Sequence, residues 1–379
     1  MRSRIIQFID QLEPEMLELW RELVQIESPS HCKSGVDGVG KRLAEYCQER
    51  LGYFVRFQED AVYGNCLAAC SCPFEDFRDG IVISAHMDTV HAVGSFDPVL
   101  REDDTYLYGP GAGDCKGGIV MALLAASALK FVGYDRRPIK LVFAADEESG
   151  GPTGRTFYPN ELSGAAYMFN AESGIRNKLV TGRKSSLIAR FRISGTPAHI
   201  GYLSGTPRSA IREAALKLLA LEDASDYDSL TFCAGTIQGG TVATSVPGVC
   251  QLEVNVRIKD EKYINKALLI LKDTADHCFV DGTACTLEIL GNTVPMSERA
   301  ENVELCSRFS QISKELGFGH FDAAFVGGAS DASYASQMQI PVVCASGPIV
   351  DYQHTLNERV DKASMAQRAK IHACLILEL

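Results

Sequence analysis

The stretch Ile81-Val-Ile-Ser-Ala-His86-Met-Asp88 joins a short apolar run to two polar groups directly after it. A second apolar run, Ile139-Lys-Leu-Val-Phe-Ala144, follows it, and a helical pattern extends from Ile119 to about Phe131 between the two. Strand, helix and strand in this order predict a mostly parallel sheet, because parallel neighbours need a crossover connection. The sequence therefore predicts an α/β fold with helices on both faces of the sheet.

The N-terminal segment has apolar residues at helical spacing. They are Met16, Leu19, Trp20, Leu23 and Val24. This spacing predicts an amphipathic helix, and we expect Pro14 to lie in its first turn, where the missing N–H of proline is harmless.

The middle of the chain follows a different pattern. Apolar and polar residues alternate from Leu187 to Ile193 and again from Leu252 to Ile258. This alternation predicts an antiparallel sheet with one buried and one solvated face. Helical patterns at 209–221 and about 262–276 separate the strands and give an order close to β-α-β-β-α-β. We therefore expect a smaller, ferredoxin-like α+β domain here.

The α/β pattern returns after Gly291. It predicts a helix near 299–316, strands at Ala323–Val326 and Pro341–Ala345, and a last helix near 362–377. The first domain is thus resumed. We predict a discontinuous catalytic domain, residues 1–182 and 293–379, which is interrupted by a lid, residues 183–292, of a size suited to a small independent unit.

Composition limits the kinds of partner. The chain has 379 residues, 46% of them hydrophobic, and a formal net charge of -11. Such a negative charge opposes nucleic acid and anionic membranes, so we expect no nucleic acid and no membrane among its partners. Asp10 and Glu13 interrupt the first apolar stretch before a signal-peptide core develops, and no later run reaches ~18 uninterrupted apolar residues. We predict a cytoplasmic protein.

The 13 cysteines are odd in number and show no repeated Cys-x-x-Cys pairs. Reduced and mostly buried thiols are therefore expected. Cys66, Cys70 and Cys72 form one tight cluster, but no fourth ligand follows at the spacing of a zinc finger, so a metal site there is not favoured.

Acidic groups and imidazoles follow several of the predicted strands. His86 and Asp88 are two residues apart, so an extended chain points both side chains to the same side. The carboxyl ends of strands are where ligands gather in open α/β sheets. Further candidates at such ends or in equivalent loops are Asp114, Glu147, Glu148, Glu172 and His354.

Three of these candidates stand in informative local sequence. In the pair Glu147-Glu148, neighbours in extended backbone face opposite ways, so one carboxylate can bind a metal while the other reaches its water. Asp114 lies in the glycine-rich stretch Gly109–Gly118, which can present a carboxylate just before a helix. Each of these residues, taken alone, is more often an ordinary loop carboxylate. Only their occurrence together, after successive strands, predicts a metal site.

Charge arithmetic favours two divalent ions. Asp114, Glu148 and Glu172 contribute three negative charges against four positive ones, and one bound hydroxide makes the site neutral and therefore less costly to bury. Mixed histidine and carboxylate ligands suit Zn²⁺, and Co²⁺ or Mn²⁺ also fit them.

These motifs resemble those of the M20 family of metallopeptidases and amidohydrolases, which includes glutamate carboxypeptidase, acetylornithine deacetylase, succinyl-diaminopimelate desuccinylase and aminoacylase. The resemblance covers nearly the whole chain. The matching stretches, in order, are Ser-Ala-His86-Met-Asp88-Thr-Val, Gly113-Asp114-Cys-Lys-Gly-Gly, Asp146-Glu147-Glu148-Ser-Gly, Asn170-Ala-Glu172 and Gly328-Ala-Ser-Asp331-Ala.

The resemblance implies a complete ligand set for the two ions. Asp114 would bridge them. His86 and Glu172 would complete the coordination of one ion, and Glu148 and His354 would complete that of the other.

The resemblance also implies the remaining catalytic roles. Asp88 would orient His86, and Glu147 would be the general base for attack by a metal-bound hydroxide on the amide carbonyl. The lid stretch Ser194-Gly-Thr-Pro-Ala-His199-Ile-Gly resembles the family too. In relatives its histidine reaches across a dimer to the substrate carbonyl, so His199 would help to stabilise the oxyanion.

Two departures from the family pattern bear on substrate binding. Thr244 stands where relatives usually carry Asn, and Thr293-Val-Pro replaces the Arg-Pro-Pro of carboxypeptidase-like members. The usual clamp for a substrate carboxylate is therefore in doubt, and Arg257 remains as the matched candidate, with an ordinary salt bridge as its alternative role. The backbone around Gly328 and Ser330, at a predicted helix start, could also hold a substrate anion.

The expected function is metal-dependent hydrolysis of an amide bond in a small peptide or N-acyl amino acid by a homodimer that pairs through the lid. An exopeptidase of the carboxypeptidase or dipeptidase kind is the first expectation. Because of the departure at Thr293, an N-acyl amino acid deacylase stays open as an alternative. A non-enzymatic, metal-stabilised dimeric scaffold is a remote one, since it would leave Glu147 without a structural duty.

Overall fold

A computed structural model describes the backbone of residues 1–379 and the side chains of residues 1–291 and 293–379. The chain divides into two compact units. Unit 1 comprises Met1–Gly182, Glu298–Phe325 and Ser330–Leu379, and unit 2 comprises Arg183–Ser297 and Val326–Ala329. Unit 2 thus runs to Ser297 rather than to residue 292, and it takes in a short segment from the second half of the chain.

The α-helices are α1 (Arg2–Gln25), α2 (Lys33–Tyr46), α3 (Gly118–Phe131), α4 (Gly154–Glu161), α5 (Ala210–Asp223), α6 (Ile264–Asp276), α7 (Ala300–Glu315), α8 (Ala332–Gln337) and α9 (Lys362–Ile376). The strands of the first half are β1 (Phe54–Gln58), β2 (Cys66–Cys70), β3 (Gly80–His86), β4 (Arg101–Glu102), β5 (Tyr106–Tyr108), β6 (Ile139–Ala144), β7 (Ala165–Asn170) and β8 (Lys178–Arg183). Those of the second half are β9 (Ser185–Ser194), β10 (Ala198–His199), β11 (Leu230–Gly239), β12 (Ser245–Val246), β13 (Val249–Ile258), β14 (Ala284–Asn292), β15 (Asp322–Val326), β16 (Val342–Val343), β17 (Val350–Asp351) and β18 (Arg359–Asp361).

Unit 1 is built around a six-stranded sheet in the order β1-β2-β6-β3-β7-β16. The four strands from β6 to β16 run parallel, and β2 and β1 continue the sheet in antiparallel fashion. Every residue of β3 and β6 is buried, as expected for central strands covered on both faces. The prediction of a mostly parallel α/β sheet is confirmed.

Helix α3 lies in the middle of unit 1. The segment Ala112–Phe131 is long and apolar enough to cross a membrane by length and composition alone, but its apolar 18-residue window is wholly buried inside the protein. It packs against α1, α9 and the central strands β3 and β6. Its uniformly apolar surface is therefore explained by burial on all sides, as in a core helix.

The prediction that Pro14 lies in the first turn of the N-terminal helix is wrong. Helix α1 begins at Arg2, so Pro14 lies inside it and not in its first turn. A proline inside a helix costs about 3 kcal/mol, because it removes one backbone hydrogen bond and crowds the preceding turn. Ile5 and Ile9 are fully buried upstream of it. Since burial of each such side chain stabilises by ~1.5–3 kcal/mol, the longer apolar stripe offsets the cost.

Unit 2 contains a four-stranded antiparallel sheet in the order β11-β13-β9-β14. Along β9 the residues Leu187, Ala189, Phe191 and Ile193 are buried, and the residues between them are partly or fully exposed. Helices α5 and α6 pack on the buried face. The predicted period-two alternation and the β-α-β-β-α-β order of the longer elements are confirmed, and they give a ferredoxin-like arrangement.

Candidate metal centre

Three neighbouring strands of the unit 1 sheet end at the same edge, and each leads into polar side chains. His86 is the last residue of β3. Glu147 and Glu148 follow the end of β6, and Glu172 follows the end of β7. Because β6, β3 and β7 are adjacent and parallel, their carboxyl ends bring these groups together.

A first group of potential metal ligands surrounds His86. The imidazole Nε2 lies 3.2 Å from Asp114 Oδ1 and 3.6 Å from Glu172 Oε1. These three side chains are buried, and with Cys115 they offer ligand atoms that all lie within 4.8 Å of one another.

A second group lies around His354. Its Nε2 is 3.2 Å from Asp114 Oδ2 and 3.4 Å from Glu148 Oε2. Asp114 therefore belongs to both groups and offers a different oxygen to each. The residue His354 has φ +59°, a left-handed conformation that is uncommon for a residue with a side chain and that directs its ring from a tight turn.

Asp88 lies behind the ligands and holds the segment that bears the paired glutamates. Its carboxylate is fully buried and accepts hydrogen bonds from the Ser30 hydroxyl at 2.6 Å and from the backbone N–H groups of Glu147 and Glu148, both at 3.1 Å. The Nδ1 atom of His86 is 3.0 Å from the backbone oxygen of Asp88 and 3.3 Å from its Oδ1. This arrangement fixes the orientation of the imidazole.

The glycine-rich segment is held by close packing. The indole N–H of Trp20 donates to the backbone oxygen of Ala112 at 2.8 Å. A Cβ atom on Gly118, the first residue of α3, would lie 1.9 Å from the backbone oxygen of Ala171. Only glycine therefore allows α3 to begin so near to the residue that precedes Glu172.

A chain of hydrogen bonds through Asn170, Ser346 and His372 supports the loop that bears Glu172. It was not predicted from the sequence, because no motif surrounds His372. The side chain of Asn170 accepts the Glu172 backbone N–H at 3.0 Å. The Ser346 hydroxyl donates to the Asn170 backbone oxygen at 2.8 Å, and it lies 3.1 Å from Nε2 of the buried His372. These contacts fix the loop that presents Glu172.

The buried carboxylates at this site are stabilised by nearby positive charge. Burial raises the pKa of Glu147 well above its ordinary value, and the nearby charge of Glu172 adds to this effect. Burial also raises the pKa of Glu148. For His354, hydrogen bonds to Asp114 and Glu148 raise the pKa to about 10, so a proton is held where the carboxylates attract a cation.

These residues fit divalent metal ions. One carboxylate oxygen of Glu148, Oε1, is buried and has no hydrogen-bond partner among the residues whose side chains the structure describes. Carboxylate and imidazole ligands in two groups that share Asp114 form a hard and borderline donor set, which suits zinc-like ions. A cation would satisfy the unpartnered oxygen and would replace the proton that the imidazoles share with the carboxylates.

Cys115 is a potential ligand that the sequence analysis did not single out. Its thiol lies within the first group, but it donates to the backbone oxygen of Ala171 at 3.1 Å. Burial raises the pKa of this thiol well above its ordinary value, and the charge of Glu172 raises it further. Because the thiol is already hydrogen-bonded to the Ala171 oxygen, the geometry favours a Cys115 that supports the Glu172 loop.

The remaining predicted residues lie apart from these groups in the chain. In unit 2, His199 is exposed and its Nδ1 accepts the backbone N–H of Gly201 at 3.1 Å. Arg257 donates to the backbone oxygen of Gly327 at 3.3 Å, next to Gly328. In unit 1, Ser330 is buried and its hydroxyl accepts the backbone N–H of Ala332 at the start of α8.

Comparisons with known proteins identify the family of this chain. A sequence model described as Peptidase family M20/M25/M40 matches residues 82–378. A succinyl-diaminopimelate desuccinylase from Wolinella succinogenes is 24% identical over 376 residues, which cover 92% of this chain and 95% of the relative.

Further similarities are to probable carboxypeptidases and to a solved structure. A probable carboxypeptidase from Arthroderma gypseum is 27% identical over 280 residues, which are 64% of this chain. The chain spans 58% of the length of that relative and 59% of that of its counterpart from Arthroderma otae. The crystal structure of an aminopeptidase PepT from Bacillus cereus has a TM-score of 0.79 at 22% identity and covers 97% of this chain and 98% of its own.

We predict that Cys115 does not bind metal. Cys115→Ser should bind Co²⁺ as tightly as wild type, because a hydroxyl can also donate to the Ala171 oxygen. Removal of a supporting residue typically lowers metal affinity by about 10–100-fold. Glu172→Gln removes a proposed ligand and should lower Co²⁺ affinity by more than that. Titration of metal-free protein with Co²⁺, followed by absorbance, measures both. A sulfur-to-cobalt charge-transfer band that disappears in Cys115→Ser would contradict this prediction.

Proposed function

The chain belongs to peptidase family M20/M25/M40, and from this membership we propose that it is a metal-dependent hydrolase that cleaves an amide bond in a small peptide or an N-acyl amino acid. The observation that carries the proposal is the position of Asp114, whose two carboxylate oxygens face His86 and His354 separately. A bridging carboxylate between two ligand groups is what a two-ion hydrolytic centre requires.

The family implies divalent metal ions, and we propose two. His86 and Glu172 would hold one, Glu148 and His354 the other, and Asp114 both. Zinc suits this ligand set best, although cobalt or manganese would also fit it. When bound, such ions polarise the substrate carbonyl and lower the pKa of an attacking water.

Glu147 is the proposed general base. It is adjacent to the proposed ligand Glu148, and Asp88 accepts its backbone N–H at 3.1 Å, which fixes where its side chain starts. Burial raises the pKa of its carboxyl group, and a base of raised pKa can take a proton from water and then give it to the leaving amine nitrogen. We assign Asp88 the role of orienting His86.

For the substrate, exopeptidase cleavage of the carboxypeptidase or dipeptidase kind is our first proposal. N-acyl amino acid deacylation is the second, and a specific observation favours it. Thr293, which stands in place of the usual arginine, is tied to the unit 2 sheet, since its hydroxyl accepts the Ser186 backbone N–H at 2.8 Å. Arg257 and the backbone near Gly328 and Ser330 remain the candidates for a substrate carboxylate.

A substrate panel tests the proposed function. Purified protein loaded with Zn²⁺, Co²⁺ or Mn²⁺ is offered dipeptides, N-acetyl amino acids and N-succinyl amino acids, and amine release is measured. We expect hydrolysis of at least one class, with loss of activity after chelation and recovery on addition of metal. Turnover of none of them, with metal bound, would refute the proposal.

The two adjacent glutamates should respond differently to the same substitution. Glu147→Gln should keep its metal and lower turnover by at least the ~10²-fold expected of a lost general base. Glu148→Gln should lose metal instead, because it removes a ligand charge. Metal analysis and kcat of both variants decide the matter, and the opposite order would require the two roles to be exchanged.

We further propose a cytoplasmic homodimer that pairs through the lid, residues 183–292. The free thiols of all 13 cysteines support a reducing compartment. In unit 2, β11 is an edge strand whose second half is largely exposed, including Ile237, and a twofold partner could satisfy its unpaired backbone groups. His199 of one chain would then assist the active site of the other.

Subunit mixing tests this dimer. His199→Ala and Glu147→Gln proteins, each inactive alone, are mixed under conditions that exchange subunits. If His199 acts across the interface, both lesions of a heterodimer fall on one composite site, and activity should approach one working site per heterodimer. Verified exchange without recovered activity would show that His199 serves its own chain.

A further inference from the structure

Glu358 is a buried carboxylate outside the ligand groups already described. It is 1% exposed. Its Oε1 atom accepts the backbone N–H of Gly113 at 3.0 Å and that of Asp114 at 3.1 Å. Glu358 therefore bonds directly to the backbone of the residue whose side chain both ligand groups share.

The other oxygen of Glu358 reaches a second segment. Its Oε2 lies 3.2 Å from Nε2 of His91, an imidazole that is 8% exposed and follows shortly after His86 and Asp88. Glu358 itself lies four residues after His354, in the same connection between β17 and β18. One carboxylate thus joins three segments that carry potential metal ligands.

We propose that Glu358 is a positioning residue for the hydrolytic reaction, in that it fixes the backbone of Asp114 and so sets the separation between the two groups of ligands. The inference rests on the proposed function and deepens it. The hydrogen bonds of Glu358 reach backbone N–H groups and His91, and none of them reaches the side chain of a proposed ligand. Glu358 therefore acts through the backbone of Asp114 and through the connection that bears His354.

The neighbouring strands make this link stiff. Strand β18 begins at Arg359, directly after Glu358, and pairs with β5, with Arg359 opposite Tyr108 and Val360 opposite Leu107. Strand β5 in turn immediately precedes the glycine-rich segment. Glu358 is therefore placed by a strand pair at the point where both the His354 connection and the Asp114 segment leave the sheet.

The bonds of Glu358 differ from those that merely hold the glycine-rich segment in the core. Trp20 binds that segment at Ala112, and Lys116 donates from within it to the backbone oxygens of Ile26 and Pro110 at 2.7 and 3.4 Å. Only the Glu358 contacts among these engage Asp114 itself. One oxygen of Glu358 accepts both backbone N–H groups, and removal of this acceptor leaves both donors buried and unpaired.

Metal binding by four variants of the full-length protein tests the proposal. Metal-free wild type, Glu358→Ala, Glu358→Gln and Glu358→Asp are titrated with Co²⁺ against a competing chelator, and the visible absorption of the bound ion is recorded. The Zn²⁺-loaded forms are assayed for kcat and KM on the best substrate of the panel. Thermal unfolding is followed through the fluorescence of Trp20, the single tryptophan, which lies in unit 1.

The order of the variants in Co²⁺ affinity depends on whether the position of the Glu358 oxygens or the charge of Glu358 matters. Glu358→Ala should weaken Co²⁺ binding by about 10–100-fold and lower kcat with little change in KM. Glu358→Gln keeps an acceptor oxygen at the same reach and should stay near wild type in affinity and absorption. Glu358→Asp keeps the charge, but its shorter side chain moves the oxygens away from the N–H groups of Gly113 and Asp114. Its Co²⁺ affinity and kcat should therefore resemble those of Glu358→Ala. The Gln and Asp variants decide the question if Glu358→Ala does not fold.

Glu161→Ala is the matched control. Glu161 is another buried carboxylate of unit 1, and it pairs with Lys140 and Arg56 away from the ligand groups. Its loss should lower thermal stability and leave Co²⁺ affinity unchanged.

Two results would overturn the proposal. One is a Glu358→Ala or Glu358→Asp protein that loses stability as the control does and yet binds Co²⁺ and turns over like wild type, which would make Glu358 a structural residue only. The other is wild-type behaviour of Glu358→Asp with loss in Glu358→Gln, which would make charge and not position decisive. A wild-type protein that binds Co²⁺ but hydrolyses nothing would refute the proposed function and leave the affinity comparison valid.

Discussion

The mutual repulsion of buried carboxylates at one edge of the unit 1 sheet is the constraint on which the rest of the site depends. Asp114, Glu148 and Glu172 lie within a few ångströms of two imidazoles and are largely withdrawn from water. Anions in such a place are costly unless cations or hydrogen bonds compensate them. Divalent ions would provide that compensation, so we expect metal binding and the integrity of this edge to depend on each other.

The fold meets this constraint with supports that point inward from several elements. Asp88 holds the two glutamates through their backbone, Ser346 and Asn170 hold the Glu172 loop, and Glu358 holds the backbone of Asp114. These hydrogen bonds act on the main chain, and Asp88 in addition orients the imidazole of His86. They fix where the proposed ligand side chains start and leave the carboxylates of Glu148, Glu172 and Asp114 available. Such preorganisation is what a hydrolytic centre needs, because small displacements of reacting groups cost large factors in rate.

Much of this could be predicted from the sequence, for identifiable reasons. The apolar runs that became β3 and β6 are unambiguous, and acidic residues directly after them must meet where parallel strands end. Pro14 was misplaced because local chemistry suggested a helix start, whereas the burial of Ile5 and Ile9 is a tertiary effect. The supporting roles of Cys115 and Glu358 could not be predicted, since their partners are backbone atoms of segments far away in sequence. For the same reason no pattern marked Val326–Ala329 as part of unit 2.

We propose that Asp114 serves two ions at once, and a metal titration coupled to an activity assay is the decisive test. Metal-free protein receives Zn²⁺ in steps while bound metal and hydrolysis of the best substrate are measured together. We expect binding to saturate at two equivalents, full activity to require the second, and Asp114→Asn to impair the binding of both. A plateau at one equivalent with full activity would contradict it.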